Sequence, residues 1–363
     1  MTGRDEHLQR TIRAELESRD AGAFVHVGTA TEPALRYCVT ALEAPTGPSS
    51  LVALAFDGEE WFVVDETKTT DHPADRLARE LRERGVSAPV LSPRDVPHDA
   101  ALYLEGAGLS LASSDVLDRA RATKTTDERD RIERTNAAAG AGVRAGAALL
   151  AASTVVEGRL EEEMGGEPVT PERLRRAIDV AIVEAGAFPA GNTVVSAGRH
   201  DAAGRGPGEA LRAGEPIVFE VGPRGPAGYH ASLARTAVVD GEGGPERRAH
   251  VAVTSSLRSA RAMLAGGERS VEALEADLEA EVLAFGFDDG VVASVSGVGL
   301  EPRERAVRGG ELAEGSVLRL EAAVTDEWGS VRLADLLVLG PDGPRWLTSP
   351  SRSLSPEAIT AST

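Results

Sequence analysis

The residues best placed to do chemistry are two glutamates that occupy equivalent positions in a duplicated stretch. Residues 211–239, LRAGEPIVFEVGPRGPAGYHASLARTAVV, are echoed 101 positions later by 312–340, LAEGSVLRLEAAVTDEWGSVRLADLLVLG. Leu211 falls on Leu312, Gly214 on Gly315, Ile217 on Leu318 and Glu220 on Glu321. Each copy reads as a Gly-containing turn, a strand with one acidic residue, a hairpin and a return strand. Two halves related by a pseudo-twofold would set Glu220 and Glu321 facing each other across a central pocket. Paired carboxylates of that kind can hold a weakly bound Mg²⁺ or Ca²⁺. Without a cation they repel, so one takes a proton or is clamped by a guanidinium, with Arg303 and Arg319 as candidates. Arg235 and Arg332, on the return strands, are further partners for these charges. His230 lies two positions before Ser232, so strand alternation sets both on one face and makes His230 the best nearby ligand or base. The candidate catalytic residues are therefore Glu220, Glu321 and His230. His200 and Asp201, in a loop, could also approach the pocket; His72, His98 and His250 have no pattern to recommend them.

The elements that must position these residues repeat as well. At a spacing of 100, Glu172, Leu174, Ile178, Ile182 and Gly186 match Glu272, Leu274, Leu278, Val282 and Gly286. A repeat this long marks a duplicated half-domain, since solenoid units run roughly 20–50 residues. Thr170-Pro171-Glu172 opens a helix with a capping residue and a Pro at the first position. Residues 127–152 form a long Ala-rich helix, whose Gly140, Gly142 and Gly146 are poor helix formers and imply close backbone packing. A strand at 192–197, a Gly-rich loop at 200–208 and the first hairpin follow. Helices at 246–264 and 270–285, a Gly-rich segment at 290–300 and the second hairpin come next, then a loosely ordered tail after Gly343. Ahead of all this, residues 6–19 read as a helix, and 24–27 and 35–42 as strands. Segments 51–55 and 61–64 pair about Asp57-Gly58. A helix at 75–84 stops at Gly85, and strands at 86–91 and 101–104 complete an α/β alternation. No Gly-rich phosphate loop follows any of these strands, which leaves a nucleotide site without support.

Composition sets the boundaries. The 363 residues carry a formal net charge of −19, and of 39 basic residues only Lys68 and Lys124 are lysines. This acidic, Lys-poor balance is that of a protein from a high-salt cytosol, where a Debye length of about 3 Å at 1 M lets carboxylates crowd. It argues against a nucleic-acid-binding face. The single cysteine, Cys38, excludes an internal disulfide and a multi-cysteine zinc site, and its apolar surroundings make it a core residue. The charged N-terminus and the lack of any run near 18 apolar residues point to a cytoplasmic protein with no membrane partner.

Four motifs carry a family resemblance. Arg121, Lys124, Thr125 and Glu128 resemble the R-x-x-K-T/S-x-x-E opening of a long helix. Gly228-Tyr229-His230-Ala231-Ser232-Leu233-Ala234-Arg235-Thr236 resembles a G-Y-x-S-D-x-T-R-T strand. Gly297-Val298-Gly299-Leu300-Glu301 resembles the end of G-H-G-x-G-L-x-x-H-E, and Val331-Arg332-Leu333-Ala334-Asp335 resembles x-R-x-E-D. Together, in this order, they resemble the methionine aminopeptidase, prolidase and creatinase family, closest in layout to Xaa-Pro aminopeptidases. The resemblance implies an α/β N-terminal domain of creatinase type at 1–122. It also implies an α+β pita-bread C-terminal domain with internal pseudo-twofold duplication at 123–345, and a tail at 346–363. It further implies a homodimer.

That family holds two divalent metals with two Asp, one His and two Glu, and the metals activate a bridging water. Carried over by the motifs, the ligand positions fall on Glu220, Ser232, Ser296, Glu321 and Ala334, so only two carboxylates remain. The family's second His falls on Arg303, and its substrate-side His falls near Arg205. The expected pocket is therefore lined by Glu220, His230, Ser232, Ser296, Arg303, Glu321 and Ala334, with no metal cofactor expected. Asp335 should point to the opposite face. The expected function is that of a non-peptidase binding or regulatory relative, taking a peptide or small-molecule ligand. Two alternatives are an active Xaa-Pro aminopeptidase using Mn, Co or Zn on altered ligands, and a metal-free creatinase-like hydrolase. The last requires His200 or His230 to reach Glu220 or Glu321.

Overall fold

A computed structural model describes residues 3–39, 50–65, 71–86, 89–163, 166–198, 208–304 and 311–361. Contacts divide the chain into two units, Met1–Asp127 and Glu128–Thr363. The expected division at residue 122 coincides with a helix end, whereas the units part in the first turn of the following helix.

In the first unit the strands are β1 (Ala23–Thr29), β2 (Leu51–Phe56), β3 (Trp61–Asp65), β4 (Val90–Ser92) and β5 (Leu111–Ser113). They form one sheet in the order β3-β2-β1-β4-β5, antiparallel through β1 to β3 and parallel through β1, β4 and β5. Asp57 turns the β2–β3 hairpin by accepting from the N–H groups of Glu59 and Glu60 at 2.9 and 2.8 Å. The helices are α1 (Gly3–Ser18), α2 (Pro33–Val39), α3 (Pro73–Glu83), α4 (His98–Gly106) and α5 (Val116–Ala122).

Two segments expected as strands are helices. Residues 35–42 begin inside α2, where Pro33 is tolerated in the first turn and the Arg36 N–H reaches the Glu32 carbonyl at 2.9 Å. Residues 101–104 lie in α4, which buries Ala100 and Leu104, four apart, and leaves Leu102 and Tyr103 exposed. Short apolar runs do not fix their own period. Cys38 is a core residue, as expected: burial pushes its thiol up to about 12, against the pull of Arg121 and Arg4.

The second unit opens with α6 (Thr126–Ala151), β6 (Ser153–Val156), β7 (Arg159–Glu162) and α7 (Pro171–Glu184). Thr170 caps α7, accepting from the Arg173 N–H at 3.2 Å. Gly142 and Gly146 let α6 press on α7: a Cβ at either would lie 3.0 Å from Ile182 or Ile178. Strands β8 (Val194–Ala197), β9 (Ile217–Val221) and β10 (Leu233–Ala237) follow, then α8 (Pro245–Ala265) and α9 (Val271–Leu283). The chain ends with β11 (Val291–Gly297), β12 (Val317–Asp326), β13 (Gly329–Gly340), β14 (Gly343–Trp346) and α10 (Pro356–Thr360).

The sheet order β11-β12-β13-β10-β9-β8, with β14 added on β13, turns the sequence duplication into geometry. β10 meets β13 at the centre, Ala234 opposite Ala334; β9 and β12 flank them, and β8 and β11 lie beyond. Glu220 and Glu321 thus occupy matching places on either side of the seam. Alternation sorts each strand's side chains. Leu318, Leu320, Leu333 and Leu337 pack in one core with Leu257, Leu264, Leu274 and Leu278 of α8 and α9. The opposite face carries Glu220, Ser232, Arg319, Glu321, Arg332 and Ala334.

The segment after Gly343 is not loose. β14 pairs with β13, and the carbonyls of Thr348, Pro350 and Ser351 accept from Asn136, Arg235 and Arg235 at 2.6, 2.8 and 3.1 Å. Such a segment is held through its backbone, so its polar side chains show no periodicity. No helix among the described residues is long and apolar enough to cross a membrane.

Candidate functional site

Arg319 and Glu321 stand two apart on β12, so both reach the face shared with Glu220. Arg319 is fully buried, and its three nitrogens are all engaged. Nε donates to Ser232 Oγ at 2.9 Å, Nη2 to Glu220 Oε1 at 3.0 Å, and Nη1 to Glu321 Oε2. Arg303 closes the same pair from the solvent side, with Nη2 at 2.7 Å from Glu220 Oε1 and 3.6 Å from Glu321 Oε2. Arg332 spans the remaining oxygens, with Nη1 at 3.4 Å from Glu220 Oε2 and 2.8 Å from Glu321 Oε1. Each of the three guanidiniums therefore bridges both carboxylates. Ser294, opposite Glu321 in the β11–β12 ladder, adds a 3.2 Å hydrogen bond to Glu321 Oε2.

Burial pushes the Glu321 carboxyl up, but the charges of Arg319, Arg332 and Arg303 outweigh it and hold the group below the usual carboxylate range. Both glutamates are charge partners of cations, and three guanidiniums against two carboxylates leave one positive charge over.

The sequence-derived positions map onto this face unevenly. Glu220, Ser232, Glu321 and Arg303 are joined by the bonds above. Ala334 is buried opposite both Ala234 and Glu321. Ser296 sits opposite Arg319, with its Oγ shielded from solvent and without a hydrogen-bond partner among the described residues. His230 is buried, and its backbone N–H donates to the Gly299 carbonyl at 2.7 Å. His200, Asp201 and Arg205 lie outside the described residues. His72 caps α3 and stacks on Tyr103, and His250 meets the Arg352 carbonyl, so neither joins the site. Two clefts of this unit, about 480 and 260 Å³, are lined by other residues.

Arg235, expected as a partner for the two glutamates, points the other way. It donates to Asp335 Oδ1 at 2.7 Å, and to the carbonyls of Ala234, Ala334, Pro350 and Ser351. Odd and even positions on one strand face opposite sides, which separates Arg235 from Ser232 and, on β13, Asp335 from Ala334. Asp335 also accepts from Arg352 Nε at 2.6 Å. Buried, it is pushed up, but Arg235 and Arg352 hold it below its ordinary range. This pair pins the central seam and the C-terminal segment. Arg352 and Ser294 had no motif to reveal them; Arg319 was legible from its place two residues before Glu321.

Motif residues outside the cluster bond one another. The Tyr229 hydroxyl donates to Glu128 Oε1 at 3.0 Å, tying the hairpin to α6. The profile of metallopeptidase family M24 matches residues 132–341, more than half of the chain. The chain belongs to metallopeptidase family M24. No curated protein matches the sequence. Among solved structures, the Xaa-Pro dipeptidase from Bacillus anthracis is similar at 14% identity and a TM-score of 0.79, covering 96% of this chain and 99% of its own. The prolidase from Pyrococcus horikoshii gives 18% and 0.75, covering 96% and 99%. The X-Pro aminopeptidase from Thermotoga maritima gives 16% and 0.71, covering 93% of this chain and 98% of its own. The M24 chain thus has an N-terminal α/β domain and a pita-bread domain, and the likeness to these structures extends over nearly its whole length.

Proposed function

We propose that this M24 member has exchanged its family's dinuclear metal centre for an arginine cluster and acts as a binding protein rather than a metallopeptidase. The observation that carries this reading is the bridging of Glu220 and Glu321 by Arg319, Arg303 and Arg332. The donor set supports it too. Ser232 and Ser296 offer hydroxyls and Ala334 offers no ligand atom where the family resemblance implies Asp, His and Glu. Among the described residues, no three His, Cys, Asp or Glu side chains converge on one point. Two carboxylates already bonded to fixed, permanently charged guanidiniums do not fit a pair of divalent ions, because cation would be set against cation.

The chemistry left to these residues is recognition. Arg319 bonds both carboxylates and fixes their orientation, while Ser232 accepts from Arg319 Nε and Ser294 donates to Glu321. The test is elemental analysis of Mn, Co, Zn and Fe on protein purified in molar KCl without a metal-binding tag, together with hydrolysis of an Xaa-Pro dipeptide. The expected result is no metal retained through chelator dialysis and no cleavage when Mn or Co is returned. Two metals per chain, with cleavage abolished by chelator, would overturn the proposal.

A further inference from the structure

We infer that the arginine cluster is a receptor for a small monocarboxylate, gripped by the outward edges of Arg303 and Arg332. This rests on the reading that guanidiniums, not metals, neutralise Glu220 and Glu321. The three arginines are not equivalent. Arg319 is 0% exposed and spends every nitrogen inward, whereas the side chains of Arg332 and Arg303 are 29% and 50% exposed. Each of these two commits a single nitrogen to the glutamates, Arg332 its Nη1 and Arg303 its Nη2. Arg332 Nε and Nη2, and Arg303 Nε and Nη1, take no hydrogen bond among the described residues.

The two groups bond opposite oxygens of the same Glu220 carboxylate, which sets the two guanidiniums beside each other at the edge of the cluster. The Nε–Nη2 edge left on Arg332 is the planar fork that a carboxylate meets with two parallel bonds. Charge selects the ligand further. The cluster carries one surplus positive charge, which one carboxylate cancels. A dianion would overshoot it in a chain already at −19.

The experiment is calorimetric titration of the full chain in about 0.1 M KCl, where screening is moderate. Acetate and N-acetylglycine serve as carboxylate probes, inorganic phosphate as the competing anion and N-methylacetamide as the neutral control. Metal content is measured on the same sample. The expected result is saturable binding of both carboxylates, one per chain, with no response to the amide. Arg303→Gln should weaken binding about tenfold or more, the loss expected from one or two charge-assisted hydrogen bonds, with its melting temperature retained. No saturable carboxylate binding in metal-free protein overturns this inference alone, as does unchanged affinity in Arg303→Gln or binding of phosphate without carboxylates. Two metals retained per chain overturn the underlying reading as well.

Discussion

Because Arg319 lies two residues before Glu321 on a strand, its side chain is delivered to the same buried spot as the carboxylate, and it reaches Glu220 there as well. Restoring ligands alone should therefore fail to restore a metal centre. The triple variant Ser232→Asp, Ser296→His, Ala334→Glu is expected to hold no Mn through dialysis until Arg319→Ala is added. Metal binding by the triple variant with Arg319 intact would refute that order. The same residue governs the acid behaviour of Glu321. A carboxyl held below its unfolded value contributes stability that is fully present above the ordinary Glu range and lost as pH falls through the folded value. In Arg319→Met, the burial that pushes Glu321 up loses its strongest opponent. The Glu321 titration followed by carboxyl ¹³C NMR should move upward, and the loss of stability in acid should shrink. An unmoved titration would mean that Arg303 and Arg332 suffice. At this scale the sequence was informative wherever the duplication or a motif marked a position, as at Glu220, Glu321 and Arg303. Ser294 and Arg352 escaped because their roles come from ladder register and chain return, which no local spacing encodes.

Helix α6 shows how an element can be read through its weaknesses. Its glycines were legible as contact points, but only packing separates them. A methyl at Gly142 or Gly146 meets Ile182 or Ile178 at 3.0 Å, while at Gly140 the nearest atom, Pro350 Cδ, lies at an ordinary 3.4 Å. Gly140→Ala should therefore gain stability, up to about 1 kcal/mol from helix propensity. Gly142→Leu should lose about 1–3 kcal/mol through overpacking against α7. Urea denaturation checks both, and equal effects would refute the close α6–α7 contact. The longer elements of the second unit were legible because hydrophobic period and caps agree, as at Thr170-Pro171. Elements α2 and α4 were not, since four or five apolar residues satisfy either period until tertiary burial chooses, as Ala100 and Leu104 show against exposed Leu102 and Tyr103. The segment after Gly343 was missed for the opposite reason: backbone carbonyls at Thr348, Pro350 and Ser351 hold it, and side-chain patterns are silent about carbonyls.

At the scale of the molecule, a net charge of −19 opposes every compact state, while many surface Arg–carboxylate pairs favour it. Salt weakens both, so their relative sizes decide the sign. An exposed pair such as Arg79–Asp71 or Arg175–Glu172 contributes little, and each acts only over its own contact. The repulsion is summed over the whole surface and is relieved together once the Debye length falls from about 10 Å at 0.1 M to about 3 Å at 1 M. The buried links, Arg235–Asp335 and Arg319–Glu321, are largely shielded from the ions that weaken the exposed ones. The melting temperature should therefore rise as KCl increases across this range, while carboxylate binding at the half-exposed Arg303 weakens. Both are read from one salt series, by calorimetric scans and titrations at each concentration. A melting temperature that falls with KCl would mean that the surface pairs outweigh the repulsion, and that the acidic composition is no adaptation to salt.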